Sequence, residues 1–169
     1  MRILTGRVAA VLPANIDTDI IYPGRYLNIT DREKTAEHLF ELAYPEIRPR
    51  IQQGDLIVGG RNFGCGSSRE QAAAAVKYAG VGAVIAASFA RIFFRNSINL
   101  GLPLVVSPEA VERAREGDVL ELDLAAGSIR NPGRGETYAA APLDPRAIEL
   151  IEAGGLVPHL KNKVQKTHA

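Results

Sequence analysis

The stretch Gly60-Arg61-Asn62-Phe63-Gly64-Cys65-Gly66-Ser67-Ser68-Arg69-Glu70 follows the short apolar run Leu56-Ile57-Val58 and precedes Gln71-Ala72-Ala73-Ala74-Ala75-Val76. The first run reads as a buried strand and the second has strong helix propensity. A strand, a glycine turn and a helix in succession form the repeating unit of α/β domains. How the turn is read decides both the fold class and where the chemistry lies.

Glycines at 59, 60, 64 and 66 imply a backbone that something approaches closely. The order Gly64-x-Gly66-x-x-Arg69 suggests a dinucleotide fingerprint, but Arg69 stands where a small residue should let helix and strand pack. No acidic residue follows the next strand at Ala86-Ala87 to hold a ribose hydroxyl. A phosphate loop of the Walker type is excluded because no Lys followed by Ser or Thr comes after the glycines. Ser67 and Glu70 have capping-box spacing, which assigns Ser67 a structural role of about 1 kcal/mol. Against that role, two hydroxyls and an arginine converge on a helix start, where free N–H groups and the dipole favour an anion. Arg69 can clamp a carboxylate through paired hydrogen bonds. A serine held there can act as a base only in a strong positive field, such as a metal cluster on another chain would supply.

Working outward, Thr5 to Leu12 reads as a first strand, and the polar run Asn15-Ile16-Asp17-Thr18-Asp19 as a loop continuing through Pro23-Gly24-Arg25. A capping box, Thr30 to Glu33, predicts a helix with Ala36, Leu39, Phe40 and Ala43 on its apolar face. Downstream, Ser68–Tyr78, Ala90–Leu100 and Pro108 to about Glu116 are expected helices, ended by Gly80, Gly101 and Gly117. Val81–Ala86 and Leu102–Val106 are expected strands between them. Val119–Leu124 alternates like a half-buried strand, Ala126-Gly127-Ser128 turns it, and Thr137–Ala141 reads as extended. A short helix from Pro145 to about Ala153 closes the core, and the tail from about residue 161 is expected to fray. The expectation is one α/β domain over residues 1–169 with a β-rich flank.

The 20 Lys and Arg against 19 Asp and Glu leave no electrostatic footprint for nucleic acid or an anionic membrane. No apolar run approaches the roughly 18 residues of a membrane helix, and the N-terminus lacks the apolar core of a signal peptide, so a cytoplasmic protein is expected. A single cysteine, Cys65, excludes an internal disulfide and a self-contained cysteine cluster. As a nucleophile Cys65 lacks a histidine neighbour in sequence, and His38, His159 and His168 have no metal-ligand spacing.

The motif Asn62-Phe63-Gly64-Cys65-Gly66-Ser67-Ser68-Arg69-Glu70 resembles the small subunit, or swivelling domain, of the aconitase superfamily. Asn15-Ile16-Asp17-Thr18-Asp19 with Pro23-Gly24-Arg25-Tyr26, and Ser88-Phe89-Ala90-Arg91-Ile92-Phe93 with Asn96 and Gly101-Leu102-Pro103, resemble two further blocks of that family in the same order. The resemblance implies a swivelling β/β/α domain as in the aconitase C-terminal domain. It also implies a large-subunit partner carrying a [4Fe–4S] cluster, with no metal held by this chain, and a di- or tricarboxylate substrate.

By position, the resemblance makes Ser67 the base, Ser68 and Arg69 ligands of a substrate carboxylate, and Thr18 and Asp19 supporting groups on the facing loop. The loop Arg25-Tyr26-Leu27-Asn28-Ile29 would sense the substituent of the substrate, with Leu27 and Ile29 inward for a branched alkyl group and Arg25 for an extra carboxylate. Tyr22 stands where many relatives of that family place a small hydroxyl residue or isoleucine. Arg91 and Arg95 share a helix face that is either solvated or meets the large subunit. The activity implied is a hydro-lyase interconverting isopropylmalate isomers in leucine synthesis, with homoaconitate- or dimethylmalate-type substrates as alternatives. A non-catalytic anion-binding module is the alternative of another class.

Overall fold

The computed structural model describes residues 3–168, so Met1, Arg2 and Ala169 at the two ends lie outside it. Strands β1 (Ile3–Val11), β2 (Leu56–Gly59), β3 (Ala83–Ala86), β4 (Leu104–Val106), β5 (Val119–Asp123), β6 (Ser128–Asn131) and β7 (Glu136–Ala139) form one sheet. Their order is β4-β3-β2-β1-β5-β6-β7. The left side, through β1, is parallel and the right side antiparallel. β1 joins the two halves: Ile3–Arg7 pair with β5 and Val8–Val11 with β2, with a register shift between Val8 and Ala10 near the changeover. A bulge there adds local twist, which curls the sheet.

The helices are α1 (Thr18–Ile21), α2 (Arg32–Glu37), α3 (Ile47–Arg50), α4 (Glu70–Tyr78), α5 (Arg91–Asn99), α6 (Pro108–Arg113), α7 (Pro145–Ala153) and α8 (Leu156–Thr167). Ile57, Val84 and Ala86 face a core filled by Ala72, Val76 and Phe93 from α4 and α5. Leu56, Val58 and Ile85 face a second core with Ala110 of α6 and Leu120, Ile129 and Tyr138 of the antiparallel flank. Covered on both faces, β2 and β3 are buried throughout, which is why they read as continuous apolar runs. The mixed α/β architecture agrees with the sequence expectation.

Several local expectations are corrected. The first long helix begins one residue late, because Asp31, not Thr30, accepts from Lys34 N–H as the N-cap. It also stops at Glu37, and Phe40 takes a left-handed φ of 58°, so Leu39 and Phe40 are buried from a turn and Ala43 is exposed. α1, the 3₁₀ turn Gly24–Tyr26 and α3 occupy segments expected to be loop or connection. β6, for which no strand was expected, begins at Ser128, the last residue of the expected turn. The tail expected to fray continues as α8 to Thr167.

On the flank, Asp118 accepts from Arg115 N–H at 2.9 Å and Asn131 Nδ2 at 3.0 Å, and pairs with Arg134 at 3.3 Å. Burial opposes the charge of Asp118, but these donors outweigh it and hold its carboxyl below the usual range. A carboxyl depressed in the folded state stabilises above its unfolded value, and that stability is lost as pH falls through the folded one. Asp118→Asn should therefore flatten the acid limb of a plot of unfolding midpoint against pH, and an unchanged limb would place the acid sensitivity elsewhere.

Candidate active site

The carboxyl ends of β1, β2 and β3 lie on one edge of the parallel half, the usual location of ligand sites in such sheets. The loops that leave them are bound to one another beyond the strands. Asn15 N–H donates to Arg61 O at 2.8 Å, Gly64 N–H to Ile16 O at 2.7 Å, and Thr18 N–H to Cys65 O at 2.8 Å. The third loop joins through Phe63 N–H to Ser88 O at 3.1 Å and Asn62 N–H to Ser88 Oγ at 2.8 Å. Phe63, Phe89 and Phe93 pack ring against ring beneath this junction, with centroids 5.6–6.5 Å apart. Gly64 is required over that cluster: its φ is 83°, and a Cβ there would lie 2.2 Å from Phe93 Cγ.

Four side chains meet on this frame in two pairs. Asp17 caps α1 by accepting from Ile20 N–H at 2.8 Å, which fixes the start of the helix at Thr18 and Asp19. Thr18 is buried, and its hydroxyl lies 3.1 Å from Ser67 Oγ, which is exposed. Asp19 forms an ion pair with Arg69, whose guanidinium rests on Gly24, where a Cβ would come within 2.9 Å of it. Ser68 is exposed on the same turn. The capping box that the Ser67–Glu70 spacing allows is absent: Arg69 occupies the N-cap of α4 without a side-chain bond, leaving Ser67 to Thr18. A hydroxyl pair and an oriented guanidinium thus border a helix start that is open to solvent.

The loop after α1 carries the residues assigned to the substituent of the substrate. Leu27 packs against the apolar core, and Ile29 lines a cavity of about 300 Å³ with Arg32, Thr35 and the α4 residues Gln71, Ala74 and Tyr78. Arg25 is exposed and pairs with Glu41 at 3.4 Å, and Asn28 is exposed. Tyr22 is fully buried and its hydroxyl donates to Tyr26 O at 2.7 Å, so it supports the loop from below; burial raises its pKa. Cys65 is half-buried and meets α1 through its backbone. Arg91 and Arg95 are exposed. Sequence reading missed the cap at Asp17 and the seat of Arg69 on Gly24; the first was legible from an Asp just before the helix, the second had no local signal.

Among the described residues, no three His, Cys, Asp or Glu side chains gather as a metal-ligand set, and no helix is long and apolar enough to cross a membrane. The model of the aconitase C-terminal domain family matches residues 10–109, a span that includes all the residues of this site. The chain belongs to that family. Within the aconitase C-terminal domain family it is similar to the 3-isopropylmalate dehydratase small subunit of Moorella thermoacetica, 55% identical over 89% of this chain and 91% of the relative. The 3-isopropylmalate dehydratase small subunit 1 of Methanopyrus kandleri is 48% identical over 95% and 94%. The crystal structure of 3-isopropylmalate dehydratase from Methanocaldococcus jannaschii matches with a TM-score of 0.89 and 40% identity, covering 99% of this chain and all of that one.

Proposed function

We propose that this chain is the small subunit of a 3-isopropylmalate dehydratase, a hydro-lyase that interconverts 2- and 3-isopropylmalate by removing and re-adding water in the cytoplasmic synthesis of leucine. The observation that carries this reading is the overlap, nearly end to end and at 55% identity in one case, with small subunits of that name. The name small subunit implies a large-subunit partner. A [4Fe–4S] cluster held by that partner would supply the Lewis acid that lets the substrate hydroxyl leave. The donor set of this chain is the hydroxyls of Thr18, Ser67 and Ser68 and the guanidinium of Arg69, suited to substrate rather than to iron.

The residues of the chain then divide the remaining work. Arg69, oriented by Asp19, binds a substrate carboxylate through paired bonds, and Ser68 adds a hydroxyl donor on the same turn. Ser67 Oγ takes the proton from the carbon next to a carboxylate as the hydroxyl departs from the neighbouring carbon, and returns it in the reverse addition. Thr18 donates to Ser67 Oγ while it is deprotonated, and the exposed N–H groups at the start of α4 add positive potential there. Ser67 is exposed in the isolated chain, so burial by the large subunit is what strengthens these interactions.

The test is reconstitution with a large subunit and its cluster, followed by the absorbance of the unsaturated intermediate formed from 3-isopropylmalate, dimethylmalate or homoaconitate-type substrates. Turnover of isopropylmalate that needs both chains is expected. Full activity without this chain, or preference for one of the other acids, overturns the assignment, and tight carboxylate binding without turnover indicates a non-catalytic module.

A further inference from the structure

Beside the site, His38 and Glu41, which lie outside the sequence motifs, contact the turn on which Arg69 rests. Tyr26, at the end of that turn, stacks on His38 with ring centroids 3.6 Å apart and planes 14° apart. His38 Nδ1 lies 3.3 Å from Glu41 Oε1, while the other oxygen of Glu41 is 3.4 Å from Arg25. The Tyr26 hydroxyl, followed by His38 and Arg25, holds the Glu41 carboxyl below the ordinary range. This arrangement depends on the left-handed backbone of Phe40, a buried aromatic whose N–H donates to Ile21 O at 2.9 Å and ties the segment to α1. A bulky residue at φ 58° costs on the order of 1–3 kcal/mol and persists only where its surroundings over-determine it. The turn brings Glu41 back against His38, its N–H donating to His38 O at 3.2 Å, and His38 stacks on Tyr26.

We propose that His38 and Glu41 are positioning residues for Arg69, holding through Tyr26 the Gly24–Tyr26 turn against which its guanidinium is seated. One link of the chain is the stack of Tyr26 on His38, and the next is the contact of Gly24 with the guanidinium, closed on the far side by Asp19. Loss of the grip lets the turn swing, and Arg69 loses its preset direction while Ser67 and Thr18, on other contacts, keep theirs. The proposal rests on the reading of Arg69 as a carboxylate ligand, and predicts an effect on substrate binding rather than on proton transfer.

In the reconstituted enzyme, His38→Ala should raise KM about three- to tenfold, the worth of one aromatic pair, with kcat within about twofold. His38→Phe, which restores the stack, should recover most of that loss. In an Arg69→Lys background, His38→Ala should add less than about twofold, since the two act in series. An unchanged KM, a fall in kcat alone, or fully additive effects overturn the proposal. A separate readout needs no activity: in the isolated chain the Arg69 Nε–H resonance, assigned by its loss in Arg69→Lys, should shift in His38→Ala. A stationary resonance overturns the proposal, whereas a shifted one in a pair that does not turn over isopropylmalate overturns only the assignment of substrate.

Discussion

Replacing Ser67 with alanine is expected to lower kcat of the reconstituted enzyme by about three orders of magnitude, the range of a lost general base. KM should change little, because the carboxylate clamp of Arg69 and Asp19 stays in place. Folding should be nearly unaffected: Ser67 is exposed, and water can take its place beside the Thr18 hydroxyl. A thermal midpoint within about 2 °C of the parent, measured with single-turnover kinetics, would separate chemistry from stability. Retention of more than a tenth of kcat would move the base to Ser68 or to the partner. Thr18→Val should act in the same direction but less strongly, since it removes only the donor to Ser67 Oγ.

The second large effect is on stability. Gly64→Ala places a methyl 2.2 Å from Phe93 Cγ at a backbone φ of 83°, so steric overlap adds to conformational strain. Phe93 is held by the rings of Phe63 and Phe89 and has no room to yield. The strain amounts to about 1–2 kcal/mol and the overpacking to about 1–3. Chemical denaturation should show the sum, with loss of activity because the Ser67 turn hangs on the same residue. Gly117→Ala is the control: its φ is 89°, but its Cβ would meet nothing within 4 Å, so only the backbone cost should appear. Equal losses at the two positions would show that Phe93 accommodates the methyl.

The sequence made the parallel half and the motif turn legible because their signals are local. Asp144, Pro145 and Gly154 bracket α7 as cap, first-turn proline and left-handed stop, and the helix spans the expected Pro145–Ala153. Thr30 and Glu33 have an equally good pattern, yet Asp31 took the cap and Phe40 ended the apolar periodicity in a turn, a tertiary outcome that spacing does not encode. α8 buries no residue: Val157, Leu160 and Val164 stand at helical spacing but exposed, so the stripe has no core contact to set it apart from a frayed polar tail. Within the site, Ser67 and Arg69 stand out from their place at a helix start and Thr18 and Asp19 only through family resemblance, and the structure brings the four together. Their pairing, Thr18 to Ser67 and Asp19 to Arg69, spans 49 and 50 residues, beyond the reach of any helical or strand periodicity.

That separation also bears on how the molecule is assembled. The hydrogen bonds that run past the ends of β1 and β2 form only after a stretch of some fifty residues has looped round and docked in parallel, and closing such a loop is entropically slow compared with winding α4 or α7. A refolding chain should regain far-ultraviolet helix signal early and acquire competence to partner and catalyse late. The joining of these two loops would then serve as a natural clock for completion of the fold, readable by adding large subunit at intervals during refolding.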